Sequence, residues 1–259
     1  MNQNLPPLKE SSVDSTVLQK KTRRAFFGFG AGIAVAAVGL KTLLSMEEER
    51  GIPWLLRRVN DVSDAFWHAN FRKDARIATA KANGKPFRVN GDVGLVEGPI
   101  DAEAFRLTVI DPNHEKPLSI SLEEIRKLPV TSMGWDFKCI EGWSQAIECK
   151  GVKLSDFMTA YKIGGGGEDE APLPFVGLSS LDGGYYVSMD AKSFWHPQTL
   201  LCYEINGEPL KSENGAPLRL MTAVKYGVKN IKQLAKIEFT TSLPADYWAE
   251  NGYQDTLMF

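Results

Sequence analysis

Only three cysteines and three histidines occur in the 259 residues, and that scarcity excludes several chemistries at once. Cys139, Cys149 and Cys202 are odd in number and widely spaced, which is not a disulfide framework. No Cys-x-x-Cys pair is present for zinc or thiol exchange, and no Cys-x-x-Cys-His for covalent c-type haem. His68, His114 and His196 are too scattered to form a histidine metal cluster. A basic excess is missing too: the net charge is −2, and no basic stripe interleaved with aromatics follows the N-terminal region, so nucleic acid is not a partner. There is no internal repeat, and the sole low-complexity stretch, Gly164 to Gly167, reads as a surface loop.

What remains is ordinary globular composition, 43 % hydrophobic and 24 % charged, enough for one large domain plus a tail. The tail is N-terminal. Lys9, Lys20, Lys21, Arg23 and Arg24 stand against Glu10 and Asp14, and then sixteen uncharged residues run from Ala25 to Leu40. Thr22-Arg23-Arg24-Ala25-Phe26-Phe27 resembles a twin-arginine translocation signal, which implies the twin-arginine export machinery as a partner and an extracytoplasmic, periplasmic location. Ala34-Val35-Ala36 is a formal small-x-small cleavage site, but it sits inside the apolar run. Sixteen residues reach only about 24 Å as a helix, short of the roughly 30 Å hydrocarbon core. If Lys41 snorkels, the span extends to Met46, about 33 Å, which favours a retained membrane anchor over a cleaved signal. The basic flank puts the N-terminus in the cytoplasm and the rest of the chain outside.

Three regions follow: a signal or anchor over 1–46, a linker and lead-in segment over 47–83, and a main domain over 84–259. The lead-in carries Trp54, Leu55, Val59, Val62 and Phe66 at helical spacing and is expected to wrap the main domain. Strands are expected at Phe87–Val96, Phe105–Ile110, Val130–Cys139, Phe175–Ser180, Tyr185–Met189, Leu200–Ile205, Leu218–Thr222 and Ile237–Thr240. Ser121-Leu122-Glu123-Glu124 is a capping box opening a short helix stopped by Pro129, and Ser155 opens another. Asn206-Gly207 is a strong turn signal. Short helices scattered among non-repeating strands predict an α+β fold, mainly β, not alternating βαβ units.

Cys139 lies in Trp135-Asp136-Phe137-Lys138-Cys139-Ile140-Glu141-Gly142-Trp143-Ser144. Alone, a buried cysteine is a small core residue. Here Lys138 adjoins it, a turn-prone segment follows, and positive charge favours the thiolate that binds soft metals. Cys-Ile-Glu-Gly-Trp-Ser followed by Gly151-Val152-Lys153-Leu154 resembles the molybdenum-ligand segment of the sulfite-oxidase-fold family of molybdopterin-dependent oxidoreductases. The nearest subgroup is that of the bacterial periplasmic methionine sulfoxide reductase catalytic subunits. Glu204-Ile205-Asn206-Gly207-Glu208-Pro209-Leu210, Asn214 to Arg219 and Lys225 to Lys232 resemble further blocks in family order, so the resemblance covers about Asn60 to the C-terminus.

That resemblance implies a sulfite-oxidase-type molybdopterin-binding fold, a molybdenum–molybdopterin cofactor, and Cys139 as catalytic metal ligand. It also implies cofactor contacts from Asn60, Ser180, His196, Asn214, Arg219, Asn230, Ile231 and Lys232, with Arg219 as the phosphate clamp, because its fork matches phosphate geometry. The bland readings are a turn at Asn214-Gly215, a surface ion pair at Arg219 and a structural His196. Trp135 and Trp143 flank the cysteine as candidate pocket walls, and Cys149 and Cys202 are expected to have no metal role. The implied activity is oxygen-atom transfer on a small, possibly sulfoxide-type substrate, with electrons exchanged through a membrane haem protein or other redox partner. The alternatives are a sulfite dehydrogenase and a metal-free exported binding module. Sulfite oxidases place arginines just after the ligand cysteine, whereas here Ile140, Glu141, Gly142 and Trp143 follow, which favours a neutral or weakly charged substrate.

Overall fold

The computed structural model describes residues 15–72, 77–164 and 173–255. Lys9, Glu10 and Asp14 of the N-terminal flank and Gly165 to Gly167 of the glycine run lie outside the described residues. The chain divides into two compact units, one of residues 1–49 with 53–55, the other of residues 50–52 with 56–259. In the first, α1 (Ser15–Leu44) is a single helix; its Gln19–Leu44 part is long and apolar enough to cross a membrane, and none of it is buried. Two short extended pieces, β1 (Glu48–Glu49) and β2 (Ile52–Pro53), lead to α2 (Trp54–Asn70).

The second unit is built on two sheets. One is antiparallel, with order β10-β9-β6-β5 and β11 also on β9. Its strands are β5 (Val130–Lys138), β6 (Ser144–Lys153), β9 (Thr199–Ile205), β10 (Glu208–Pro209) and β11 (Arg219–Thr222). The other has order β4-β3-β12-β7-β8, from β3 (Arg106–Ile110), β4 (Leu118–Ser121), β7 (Phe175–Ser180), β8 (Tyr186–Asp190) and β12 (Leu234–Thr240). Among the described residues of these sheets, only the β3–β12 pair is parallel. Leu107, Val109, Val176 and Ile237 of one sheet and Val152, Leu201 and Leu220 of the other share a single buried cluster. Strand alternation sends one set of side chains into that layer and the other set outward.

Outward residues of the antiparallel sheet, Trp135, Phe137, Ile147, Leu200 and Met221, form a second cluster with Ile77 and Phe87 packed on it. Residues 77–90 therefore cross the outer face of this sheet. Ala80 donates to the Gly134 carbonyl, Gln198 brackets the Ile77 backbone, and Gln145 both accepts from Arg88 N–H and donates to the Pro86 carbonyl. Gly134 and Gly151 permit two close approaches, since a Cβ at either would stand 2.1 Å from the Ala80 oxygen or 2.0 Å from the Leu201 oxygen.

The expected capping box is present, with Ser121 and Glu124 exchanging hydrogen bonds at the start of α3 (Leu122–Arg126). The second short helix is α4 (Leu154–Tyr161), and it stops at Lys162 in the left-handed region, before the glycines. Asn206 and Gly207 both have positive φ, as a tight hairpin turn requires. One expectation fails: Phe87–Val96 is not a strand. Gly91 and Gly94 at φ 65° and 79° break the extended run, and the segment is an irregular loop. Strands β4, β6 and β10 were not foreseen; in β6 the polar residues Gln145, Glu148 and Lys150 obscure the alternation.

Between β11 and β12 the chain is pinned by two buried cations. Lys225 meets Asp190 at 3.0 Å, and Lys229 bonds Asp246, each of these lysine side chains being almost wholly buried. Burial works against the Asp190 carboxylate, but the Lys225 ammonium and the bonds from Ser193 outweigh it and hold its pKa down to about 2. Asp190 also caps the short helix α5 (Ala191–Phe194) through Ser193 N–H, while Asp246 accepts from Ser188 N–H and caps α6 (Tyr247–Glu250) through Ala249 N–H. Lys229→Met should therefore cost about 3–5 kcal/mol in a denaturant titration, because it strands the Asp246 carboxylate in a dry site. Adding Asp246→Leu should recover part of the loss. A single-variant cost below about 1 kcal/mol would show that water already reaches the pair.

Candidate functional site

Strand β5 ends in a hairpin whose tip is the Cys139 segment. Lys138 pairs with Ser144 across the strands, Cys139 N–H donates to the Trp143 carbonyl at 2.9 Å, and Gly142 N–H donates back to Cys139 at 3.1 Å. Gly142 sits at φ 84°, a conformation that a side chain would strain, which is why Glu-Gly follows the cysteine at that spacing. Trp135, Phe137 and Cys139 share one strand face. Trp135 is sealed below the Thr79 bridge and is core, not pocket wall. Phe137, Cys139 and Trp143 reach the end of that face, where a cavity of about 120 Å³ opens.

Of the residues singled out in the sequence, Cys139, Arg219, Asn230 and Lys232 line this cavity. Arg219 enters from β11, fully buried, and donates to the Asn214 and Asn230 carbonyls, each at 2.8 Å, with its guanidinium 5.5 Å above the Phe87 ring. Its Nε has no partner, nor does the buried Nδ2 of Asn214. Burial pulls the Arg219 pKa below its usual value; a guanidinium remains charged regardless. Asn230 uses its side chain inwardly, accepting from Thr222 N–H and donating to the Lys225 and Tyr226 carbonyls, so it shapes the loop. Lys232 donates to the Asn90 and Gly91 carbonyls at 3.1 and 2.8 Å.

The remaining candidates lie outside the lining. Asn60, on α2, donates to the Gly252 carbonyl. Ser180 donates to Asp182 and accepts from Tyr185 N–H. His196 is buried beside Phe71, where its Nδ1 accepts from Gln198 N–H. Ile231 is core, its carbonyl accepting from Leu220 N–H. Cys149 and Cys202 are buried core thiols, and burial pushes the Cys149 pKa up, with Cys202 adding to the effect.

The loop misread as a strand contributes most of what the sequence did not show. Asn90 Nδ2 donates to the Cys139 Sγ at 3.4 Å, and Arg88 lies 4.5 Å above the Trp143 ring. Asn90-Gly91 is a turn dipeptide, and reading it as one would have marked a loop here. Tyr185 and Trp248 add aromatic wall, the Tyr185 hydroxyl being tied to the Val228 carbonyl at 2.6 Å. Thus Arg88, Arg219 and Lys232 face the cavity, and among the described residues no carboxylate lines it. Among the described residues no group of three or more His, Cys, Asp or Glu could hold a metal, so Cys139 is the soft donor the pocket offers. The arrangement can fix an anion beside a thiol and keep water off both.

Burial draws the Lys232 pKa down to about 8, and the Arg219 charge acts in the same direction. Its folded pKa is thus below the unfolded value of 10.5. Between these values the unfolded chain holds more protons, so stability should rise with pH from about 8 towards 10.5, the cost being complete below 8. The same titration removes a cation from the cavity. Sulfate, whose charge is constant over this range, should raise the melting temperature of the apo-protein less as pH climbs from 7 to 9. Lys232→Gln should flatten that dependence; an identical slope in both would remove Lys232 from anion binding.

The oxidoreductase molybdopterin binding domain matches residues 94–248, more than half of the chain. A protein-methionine-sulfoxide reductase catalytic subunit, MsrP, of Campylobacter jejuni is 28 % identical over 240 residues, 88 % of this chain and 76 % of that protein. MsrP of Xanthomonas campestris is 33 % identical over 143 residues, 52 % of this chain and 44 % of that protein. A putative protein-methionine-sulfoxide reductase subunit, YedZ1, of Azospira oryzae is 32 % identical, with 65 % and 62 % covered. The matches thus span between about half and three quarters of the relatives' lengths. Among solved structures, the sulfane dehydrogenase SoxCD of Paracoccus pantotrophus aligns with a TM-score of 0.48 at 19 % identity, over 56 % of this chain and 40 % of that one.

Proposed function

Because this chain belongs to the oxidoreductase molybdopterin-binding domain family, we propose that it is an exported oxygen-atom-transfer enzyme whose molybdenum is ligated by Cys139. The observation that carries the reading is Arg219: a fully buried guanidinium with no carboxylate in the lining around it, aimed between two carbonyls, with its Nε left unpaired. A buried cation without a counter-ion costs several kcal/mol unless an anion completes it. The pterin phosphate is such an anion. The unpaired Asn214 amide, the Lys232 ammonium and the Cys139 thiol fit the remaining demands of the group.

Once bound, the molybdenum cofactor supplies two-electron oxygen-atom exchange with a small acceptor or donor. The chain's own residues supply the rest. Cys139 would offer the thiolate that holds the metal, and the Asn90 amide orients its sulfur and would stabilise negative charge on it. Arg219 and Lys232 clamp phosphate, Arg219 through its planar fork and Lys232 as a point charge. Phe87, Phe137, Tyr185 and Trp248 exclude water, so the electrostatic terms act at low dielectric. The MsrP names of the relatives favour a sulfoxide as substrate. Electrons reach the site from a separate membrane haem protein or comparable carrier.

Arg88 supports a second reading. The positive charge missing after Cys139 in the sequence returns from the Phe87–Val93 loop, stacked on Trp143 at the cavity. A sulfite-type oxyanion could use it. Arg88→Gln should raise KM for an anionic substrate about tenfold or more and leave KM for a neutral sulfoxide within about threefold. Equal effects on both would remove Arg88 from substrate discrimination.

Location follows from α1. The Arg23-Arg24 pair ahead of the mild apolar run supports twin-arginine export, and the run from Ala25 to Met46, about 33 Å as a helix once Lys41 snorkels, supports a retained periplasmic anchor. The cofactor reading is tested by purifying variants and measuring pterin and molybdenum directly. Arg219→Ala should bind cofactor about 30- to 4000-fold more weakly, corresponding to about 2–5 kcal/mol, and lose pterin and metal together. Arg219→Lys should recover only part. Full occupancy in a folded Arg219→Ala protein would show that the arginine is structural.

A further inference from the structure

Helix α2 is docked by the wrong face. Its buried side is polar: Arg57 donates to the Tyr253, Arg50 and Ala249 carbonyls, Asn60 to the Gly252 carbonyl, and Asp64 accepts from Asp255 N–H. Its outward side is apolar. Leu55, Val59, Val62 and Phe66 fall at i, i+4, i+7 and i+11, a single stripe down one face, and are 42 %, 61 %, 71 % and 58 % exposed. Trp54 and Trp67, also exposed, stand near the two ends of the helix. A helix on a water-soluble domain turns such a stripe to the core and its polar face to solvent. Here both are reversed over four turns, so the stripe is built to meet something apolar.

The chain itself says what lies within reach. Nine residues separate Leu44, the end of the apolar helix α1, from Trp54. A chain of that length spans at most about 32 Å, whatever path it takes. If α1 stays in a bilayer, α2 starts close to that bilayer's outer surface. Tryptophan and phenylalanine at the margins of an apolar stripe suit the interface, where their rings sit at headgroup level. We propose that α2 is an interfacial helix that rests its Leu55–Phe66 stripe in the surface of the bilayer holding α1. The proposal depends on the reading of α1 as a retained anchor. It makes the domain's attachment two-point, a span plus a surface helix, and the polar side of α2 is the side that grips the domain.

The test uses the full chain reconstituted into vesicles of zwitterionic and anionic phospholipid. A fluorophore is attached at Val62→Cys, the native cysteines all being buried. Flotation of the protein with the vesicles reads the anchor; quenching of the fluorophore reads α2. The expected result is quenching by lipids brominated on the acyl chain and at least a threefold loss of quenching by aqueous iodide, relative to a fluorophore at Lys127→Cys. Placing Glu at Leu55, Val59 and Phe66 in the labelled chain should restore iodide access and leave flotation unchanged. A chain that floats while its Val62 fluorophore stays fully open to iodide keeps the anchor and overturns the interfacial helix, leaving the stripe for a protein partner. A chain that does not float overturns both.

Discussion

Everything at this site depends on a positive charge buried without a counter-ion. Arg219 is placed by β11 against β9 and gripped by the carbonyls of Asn214 and Asn230. Those two residues belong to the loops on either side of β11, so one guanidinium sets the distance between them. The carbonyls orient the fork but do not neutralise it, and the thiols beneath it, Cys149 and Cys202, offer only weak compensation. Folding therefore stores an electrostatic demand that an anionic group satisfies. Lys232 and Arg88 enlarge the demand, and the lack of any carboxylate in the lining preserves it.

The rest of the architecture serves to keep that cavity shaped. Cys139 is fixed by a five-residue hairpin tip closed by its own backbone bonds, so its sulfur is presented by rigid strands. The opposite wall comes from the 223–232 segment, which the Lys225–Asp190 and Lys229–Asp246 pairs anchor to β8 and α6. The third wall is the irregular loop after Phe87, laid across the outer face of the antiparallel sheet. This loop has no strand pairing, and it carries the two residues, Arg88 and Asn90, that touch the Trp143 ring and the Cys139 sulfur.

How much of this could be read beforehand follows from the same division. Cys139, Arg219 and Lys232 were singled out by the family resemblance of the blocks that carry them, and all three line the cavity. The capping box at Ser121 and the Asn206-Gly207 turn were legible because local chemistry alone determines them. Asn90 was not, since the alternation from Phe87 to Val96 imitates a strand and only the glycines at positive φ contradict it. Asn60 and His196 were singled out by alignment in order along the chain, and their hydrogen bonds go to Gly252 and Gln198 away from the cavity. The spacing of Leu55, Val59, Val62 and Phe66 announced a helix correctly, but spacing cannot say which way a stripe faces. That was decided by Arg57 and Asp64, whose buried bonds outweigh the apolar side.

The central claim is that Cys139 binds the metal, and X-ray absorption at the molybdenum edge examines that bond directly. Wild-type enzyme purified with its cofactor should show sulfur scatterers from both the pterin dithiolene and the chain. Cys139→Ser, loaded under the same conditions, should keep the dithiolene sulfurs and lose one sulfur, replaced by oxygen, because a hydroxyl is a poor substitute for a soft thiolate. Cys149→Ser should leave the spectrum unchanged. An identical sulfur count in wild type and Cys139→Ser would contradict the account at its root.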